Sequence, residues 1–279
     1  MLKITYQGVA GAYSHIAAKQ VFPEAVYLPC ETFEIAMSKV QNKEADYAMI
    51  PVENSNAGRV SDVHFLLPQT DLFIVGEYYL RVEHQLLAVK GAKLKDIVLA
   101  SSHPQALAQC SEFLKRHHIQ PVARIDTAKS CADVKEWNDK TKAAIASKLA
   151  AEIYGLDILA SNIENANNNT TRFLVLSREH LVPAKTNDKF VTSFIFKVKS
   201  IPAALYKALG GFATNGININ KLESYLLDGK FVSAQFYVEA ECHPDSKAFK
   251  NAVEELSFFS EADSVRILGT YKKVVSAEK

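Results

Sequence analysis

Four cysteines, Cys30, Cys110, Cys131 and Cys242, are scattered along the 279 residues, and none forms a C-x-x-C pair. That spacing offers neither a zinc ligand set nor a disulfide framework, and it reads as reduced core thiols in a cytosolic protein. An excess of charge is lacking too. The 32 Lys and Arg nearly cancel the 31 Asp and Glu, for a net charge of +1. The chain therefore has no long-range field to attract nucleic acid or an acidic membrane. No apolar run approaches the roughly 20 residues that span a bilayer. The opening MLKITYQGVAGAYSH carries polar residues where a secretory signal needs an apolar core. These absences together read as a cytoplasmic protein with neither nucleic acid nor membrane as a partner. Missing as well are the dinucleotide spacing G-x-G-x-x-G, the nucleophile elbow G-x-S-x-G, the zinc motif H-E-x-x-H and any aspartate-rich metal loop. No metal or other cofactor is expected.

What is present is ordinary globular material, 48% hydrophobic and 23% charged, in a chain long enough for about two domains. The first unit alternates strand-like and helix-like segments. Strands are predicted at 2–6, 25–28, 47–52, 73–77, 97–100, 122–125, 143–146 and 173–176. Phe33, Ala36, Met37 and Val40 fall at helical spacing and make one buried face. A second helix is predicted from Pro104 through Leu107, Cys110 and Leu114. The alternation argues for an α/β fold with mostly parallel strands. The polar stretch SREHLVPAKTNDK, Ser177 to Lys189, reads as a linker. After it the order changes to βαββαβ, a ferredoxin-like unit, with a hairpin turn expected at Asp228-Gly229.

Four segments gather residues suited to a ligand. In QGVAGAYSHIAA a strand ends, two glycines allow a tight bend, and Ser14 can cap the next helix. In DYAMIPVENSNAGRV a buried strand runs into Glu53, Asn54 and Ser55. In LASSHPQALAQC another strand ends in Ser101 and Ser102 before a helix; His103, just ahead of Pro104, reads as a capping or solvated residue. The last is NNNTTRFLVLS, where two hydroxyls and a guanidinium stand at the mouth of a strand. Strand ends of this kind in open α/β sheets are where ligands bind, although each segment alone is equally well an ordinary polar turn. Pattern alone reaches a polar cleft for a small, anionic ligand.

The same residues resemble prephenate dehydratase carrying a C-terminal ACT regulatory domain. The resemblance runs from Ile4 to about Tyr271 and rests on six motifs in order. They are G-x-x-G-A-Y-S at Gly8–Ser14, P-V-E-N-S at Pro51–Ser55, G-E at Gly76-Glu77, S-H-P-Q-A-L at Ser102–Leu107, A-A-I-A-S at Ala143–Ser147 and N-x-T-R-F from Asn169. It implies a catalytic domain over 1–178 built as two periplasmic-binding-protein-like lobes, with crossovers near 76 and at 162–173. A linker at 179–189 and an ACT domain at 190–275 would follow. The implied reaction removes carbon dioxide and the ring hydroxyl of prephenate, giving phenylpyruvate, without metal or nucleotide.

The resemblance assigns the essential hydroxyl to Thr171, read here as a hydrogen-bond donor to the departing oxygen because an alcohol is a poor acid. It places Glu53, Asn54, Ser55, Ser102 and Gln105 in the substrate pocket, with Ala12, Tyr13, Ser14 and Phe173 beside them. Arg172 is our candidate carboxylate clamp. Glu53, held protonated, is the alternative acid. Ala204, Leu205, Asn218, Glu223 and Ser224 fall at the ACT effector site. There the chain departs from the common pattern, with Ala203-Ala204-Leu205 for G-A-L and Glu223-Ser224-Tyr225-Leu226 for E-S-R-P. Phenylalanine as effector and a homodimer or larger assembly through this domain are expectations. Arogenate dehydratase and a non-catalytic small-molecule sensor are the competing readings.

Overall fold

The structure is a computed structural model that describes residues 1–227 and 230–274. The expected turn at Asp228-Gly229 lies outside the described residues. The chain opens with β1 (Lys3–Gln7), α1 (Tyr13–Val21), β2 (Val26–Cys30), α2 (Phe33–Gln41), β3 (Tyr47–Asn54), β4 (Gly58–Arg59) and α3 (Ser61–Leu66). It continues through β5 (Phe73–Arg81), β6 (Gln85–Ala88), β7 (Leu99–Ser102), α4 (Pro104–Gln109), α5 (Ser111–Arg116) and β8 (Gln120–Ala123). Next come α6 (Thr127–Trp137), β9 (Lys142–Ala146), α7 (Lys148–Tyr154), β10 (Asp157–Ala160) and β11 (Thr170–Ser177). The C-terminal part is β12 (Phe190–Lys197), α8 (Ala204–Thr214), β13 (Ile219–Leu227), β14 (Lys230–Ala240), α9 (Lys247–Phe259) and β15 (Arg266–Lys272).

Three sheets result. The first has the order β2-β1-β3-β11-β5, with β4 hairpinned onto β3; the second is β10-β6-β9-β7-β8; the third is β13-β14-β12-β15. Parallel pairing joins β1 to β2 and β3, and β7 to β8 and β9. Strand β6, however, pairs antiparallel with both β9 and β10. The fold is α/β with mixed rather than mostly parallel sheets. Both faces of the second sheet are covered. Leu86, Ala88, Ala143 and Ile145 enter one apolar cluster, while Leu87, Ala144 and Ala146 enter another. Strands buried on both sides carry continuous apolar runs, as Ala143–Ala146 does.

By its internal contacts the chain divides into two units, Met1–Val63 with Tyr78–Phe173, and His64–Glu77 with the chain from Leu174 on. This differs from a simple division near residue 178, and hydrogen bonds within the second unit explain why. The Arg266 guanidinium donates to the carbonyls of Thr70 at 2.8 Å and Pro68 at 2.6 Å. The Glu77 carboxylate accepts the Val274 N–H at 2.8 Å. A Cβ on Gly269 would lie 1.9 Å from the Ile74 carbonyl oxygen, so only glycine allows that approach. The expected linker is also held inside this unit, by His180 stacked on Phe73 and His243 bonded to the Pro183 carbonyl.

The third sheet is antiparallel with two helices, α8 and α9, in the order βαββαβ. Its core is aromatic: Phe194, Phe196, Phe212, Phe236 and Phe249 are buried together. Among the described residues no helix is long and apolar enough to cross a membrane.

Candidate active site

The first unit contains a cavity of about 600 Å³. It opens where parallel strands of two sheets end: Gln7 closes β1, Asn54 closes β3, His103 follows β7 and Ile125 follows β8. Carboxyl ends of parallel strands are the standard ligand edge of such sheets. The volume suits a small organic molecule.

The G-x-x-G-A-Y-S segment enters the cavity through a bend that needs glycine. Gly11 has φ +92°, and a Cβ there would lie 2.8 Å from Ala150 Cα. Two bonds fix the bend: Ser147 Oγ donates to the Gly11 carbonyl at 2.6 Å, and His15 Nδ1 accepts the Gly11 N–H at 3.2 Å. Ala12, Tyr13 and Ser14 then line the cavity from the start of α1. Ser14 does not cap this helix, as its position suggested. The N-cap is Ala12, without a side-chain bond, and Ser14 is buried inside the first turn.

The P-V-E-N-S segment contributes Pro51 and Asn54 to the cavity wall. Asn54 Oδ1 accepts the backbone N–H groups of Asn56 and Ala57, both at 3.0 Å. Its amide nitrogen donates to Asn169 Oδ1 at 2.8 Å and to Thr171 Oγ1 at 3.0 Å. All four hydrogen-bonding sites named here are consistent with one amide orientation. Ser55 faces elsewhere: its hydroxyl donates to the Asn168 carbonyl at 2.7 Å and accepts the Thr170 N–H at 3.0 Å. It ties the end of β3 to the start of β11 rather than lining the cavity. Glu53 is half-buried opposite Arg59 in the β3–β4 hairpin and is not a lining residue either.

Thr171 and Phe173 both line the cavity from β11. Successive strand side chains point to opposite faces, so Arg172 between them turns away. Its guanidinium carbon lies 5.9 Å from the Tyr79 ring centroid, and the residue is buried. The clamp role assigned to Arg172 is therefore corrected. The arginine that does line the cavity is Arg59.

The S-H-P-Q-A-L segment divides similarly. Ser102 is fully buried, and its hydroxyl donates to the Ile145 carbonyl at 2.7 Å, across the sheet and away from the cavity. Gln105 lines the cavity. His103 lines it as well, and its Nδ1 accepts the Gln105 N–H at 3.3 Å, the capping arrangement expected of it. The helix read as continuous from Pro104 to Leu114 breaks at Cys110. Asn165 enters the break: its Oδ1 accepts the Glu112 N–H at 3.1 Å, and its backbone N–H donates to the Gln109 carbonyl at 2.7 Å.

Among the cavity residues not singled out in the sequence are His84 and Gln109. His84 Nε2 lies 2.8 Å from Gln109 Oε1, and His84 Nδ1 lies 2.8 Å from the Tyr13 hydroxyl. Gln109 Oε1 also accepts from Asn169 Nδ2 at 2.9 Å. Burial lowers the His84 pKa below the ordinary histidine value and raises that of Tyr13 well above the ordinary phenol. Both side chains are thereby neutral near neutral pH. The thiols offer no nucleophile, since burial pushes Cys110, Cys131 and Cys242 up to about 12. Among the described residues no group of three His, Cys, Asp or Glu side chains is placed to hold a metal ion.

In the second unit, Ala204 opens α8 and is buried, and Leu205 packs against the aromatic core. Asn218 Nδ2 donates to Asn220 Oδ1 at 2.9 Å. Glu223 and Ser224 lie on β13, half-buried and exposed, and Tyr225 beside them bonds to His64 Nδ1 at 2.9 Å.

Residues 4–181 match the family model for prephenate dehydratase. A curated relative from Komagataeibacter europaeus, named a bifunctional N-acyl-homoserine lactone acylase/prephenate dehydratase, is 46% identical over 96% of this chain and 95% of its own length. An Arabidopsis thaliana arogenate dehydratase/prephenate dehydratase is 40% identical, over 97% of this chain and 72% of its own. The crystal structure of an Arthrobacter aurescens prephenate dehydratase in complex with L-Phe superposes with a TM-score of 0.88 at 29% identity, covering 99% of this chain and 94% of that one. The chain belongs to the prephenate dehydratase family and is a lyase.

Proposed function

We propose that this enzyme converts prephenate to phenylpyruvate at the cavity around Thr171. The observation that carries this reading is the direction of the Thr171 hydroxyl. Its oxygen accepts the Asn54 amide N–H, and its own O–H makes no hydrogen bond within the described residues. The proton is left for a ligand in the cavity. In the reaction the C–O bond to the ring hydroxyl breaks as the ring carboxylate leaves as carbon dioxide, its electron pair completing the aromatic ring. One proton taken up overall converts the departing hydroxyl to water. Thr171 donates a hydrogen bond to that oxygen as charge develops on it, which stabilises the transition state more than the ground state. Arg59 is our reading for the cation that meets a substrate carboxylate. Phe33, Val60, Val82, Ile125 and Phe173 supply the less polar surround in which carbon dioxide departs.

The first and second sheets fit a pair of periplasmic-binding-protein-like lobes, within a catalytic domain over 1–178. The βαββαβ unit fits an ACT domain over 190–275 that joins subunits and senses phenylalanine. An L-Phe complex in the Arthrobacter aurescens relative supports that effector. Arogenate is the second substrate reading, because the Arabidopsis relative's name carries both activities. N-acyl-homoserine lactone hydrolysis is a further activity carried by the name of the Komagataeibacter relative.

The test is phenylpyruvate release from prephenate by the purified protein, with and without phenylalanine, beside arogenate and an N-acyl-homoserine lactone as alternative substrates. Turnover of prephenate suppressed by phenylalanine is expected. Turnover indifferent to phenylalanine would reduce the C-terminal unit to assembly, and no product from prephenate would overturn the substrate reading. In the same assay Arg59→Gln should raise KM about tenfold, the worth of one charge-assisted hydrogen bond; an unchanged KM would remove Arg59 from carboxylate binding.

A further inference from the structure

Six polar side chains around the cavity form one hydrogen-bonded relay, and its direction can be assigned from one end. Asn54 Oδ1 is engaged by two backbone N–H groups, so its nitrogen must face Asn169 Oδ1 and Thr171 Oγ1. With its oxygen used, Asn169 turns its own nitrogen to Gln109 Oε1. Gln109 Oε1 is thus an acceptor, and the His84 nitrogen 2.8 Å from it, Nε2, must carry a proton. A neutral ring protonated at Nε2 has a lone pair at Nδ1, and only the Tyr13 O–H can fill it, from 2.8 Å.

His84 is anchored by its backbone and enclosed in this arrangement. Its backbone N–H donates to Glu164 Oε2 at 3.0 Å, its carbonyl accepts the Ile163 N–H at 3.0 Å, and only 2% of the residue is exposed. The Tyr13 hydroxyl has a second acceptor within reach, the Glu83 carbonyl at 2.9 Å, so its proton has two resting places. The His84 lone pair decides between them.

We propose that His84 is a positioning residue of this active site: held as the Nε2–H tautomer by the relay from Asn54, it takes the Tyr13 phenolic proton on Nδ1 and leaves the Tyr13 oxygen as a hydrogen-bond acceptor for substrate. This rests on the dehydratase reading for its catalytic consequence, though not for the tautomer. The substrate group matched to such an acceptor is a donor, the ring hydroxyl of prephenate or the ammonium of arogenate. The role falls to His84 because it joins Gln109, after the second sheet's β7, to Tyr13 at the start of α1. No other described side chain bonds to both.

Two measurements on the full chain test it. The first is 15N NMR of histidine-labelled protein near neutral pH, with His84→Gln identifying the signal. A neutral ring protonated at Nε2 is expected; an Nδ1–H ring, or one protonated on both nitrogens, would overturn the proposal. The second is turnover of prephenate by His84→Gln and His84→Leu. Glutamine can return an N–H donor toward Gln109, whereas leucine fills the space without one. His84→Leu should lose about tenfold in kcat with KM held within about twofold, and His84→Gln should recover part of that loss. Equal activity of His84→Leu and the wild type would overturn the role. If the wild type itself does not turn prephenate over, the substrate reading fails instead, and the tautomer alone decides whether the relay exists.

Discussion

The cavity of the first unit and the βαββαβ part of the second are held together by different forces. Around the cavity, Asn54, Asn169, Gln109 and His84 orient one another through directed hydrogen bonds, and Phe33, Ile125 and Phe173 are large apolar side chains of the same cavity. In the C-terminal module the centre is a stack of rings: Phe194 lies 5.5 Å from Phe212 at 11° and packs against Phe196 and Phe249. Its buried polar groups pair in short ladders, as Thr192 does with Thr270 and Tyr237 with Glu239. Apolar burial is non-directional and tolerant of small shifts, whereas a hydrogen-bonded relay fixes where protons point. The first arrangement therefore supports chemistry and the second supports stability.

That contrast can be broken at either end. The largest effect expected is at the aromatic core, where Phe194→Ala should cost about 3–5 kcal/mol of stability, read by chemical denaturation. Its effect on turnover below the unfolding transition should be small; a large fall in kcat without loss of stability would blur the division. Next is Thr171→Val, which keeps the shape and removes the donor. A loss of about 10²–10³ in kcat is expected, with the denaturation midpoint little changed. Thr170→Val, one residue earlier on β11, serves as its control, and an equal loss there would take the assignment from Thr171. The smallest effect is at Ala203, the N-cap of α8, with φ +57°. A left-handed alanine is strained by about 1–2 kcal/mol, so Ala203→Gly should stabilise the module by about 1 kcal/mol. A destabilised variant would show that the strain is offset by contacts of the methyl group.

Much of this was legible in the sequence, and the misses have physical causes. The helix over Phe33–Gln41 and the βαββαβ order follow from periodicity that packing did not override. Strand β6 was invisible because Leu86, Leu87 and Ala88 are buried on both faces, which erases the alternation that marks a strand. The break at Cys110 was unreadable because its cause, Asn165, lies far along the chain.

The site shows the same pattern. Asn54, Gln105 and Thr171 sit at strand and helix ends, where local sequence signals position well. Ser102 and Arg172 were misplaced because a polar residue on a strand can face the cavity or the sheet's other side, and the choice depends on register. Gln109 had a usable signal, standing four residues after Gln105 on the same helix and so on the same face. His84 had none, since its partners Tyr13 and Gln109 come from distant parts of the chain.

The central claim is that Asn54 acts by aiming the Thr171 proton into the cavity. A double-mutant cycle of Asn54→Ala and Thr171→Val, read as kcat for prephenate, tests it most directly. The account predicts losses that fall well short of multiplying: with Thr171→Val in place Asn54 has no proton left to aim, and Asn54→Ala then costs only the part, about tenfold at most, that runs through Asn169, Gln109 and His84. Losses that multiply would show two independent contributions and contradict it.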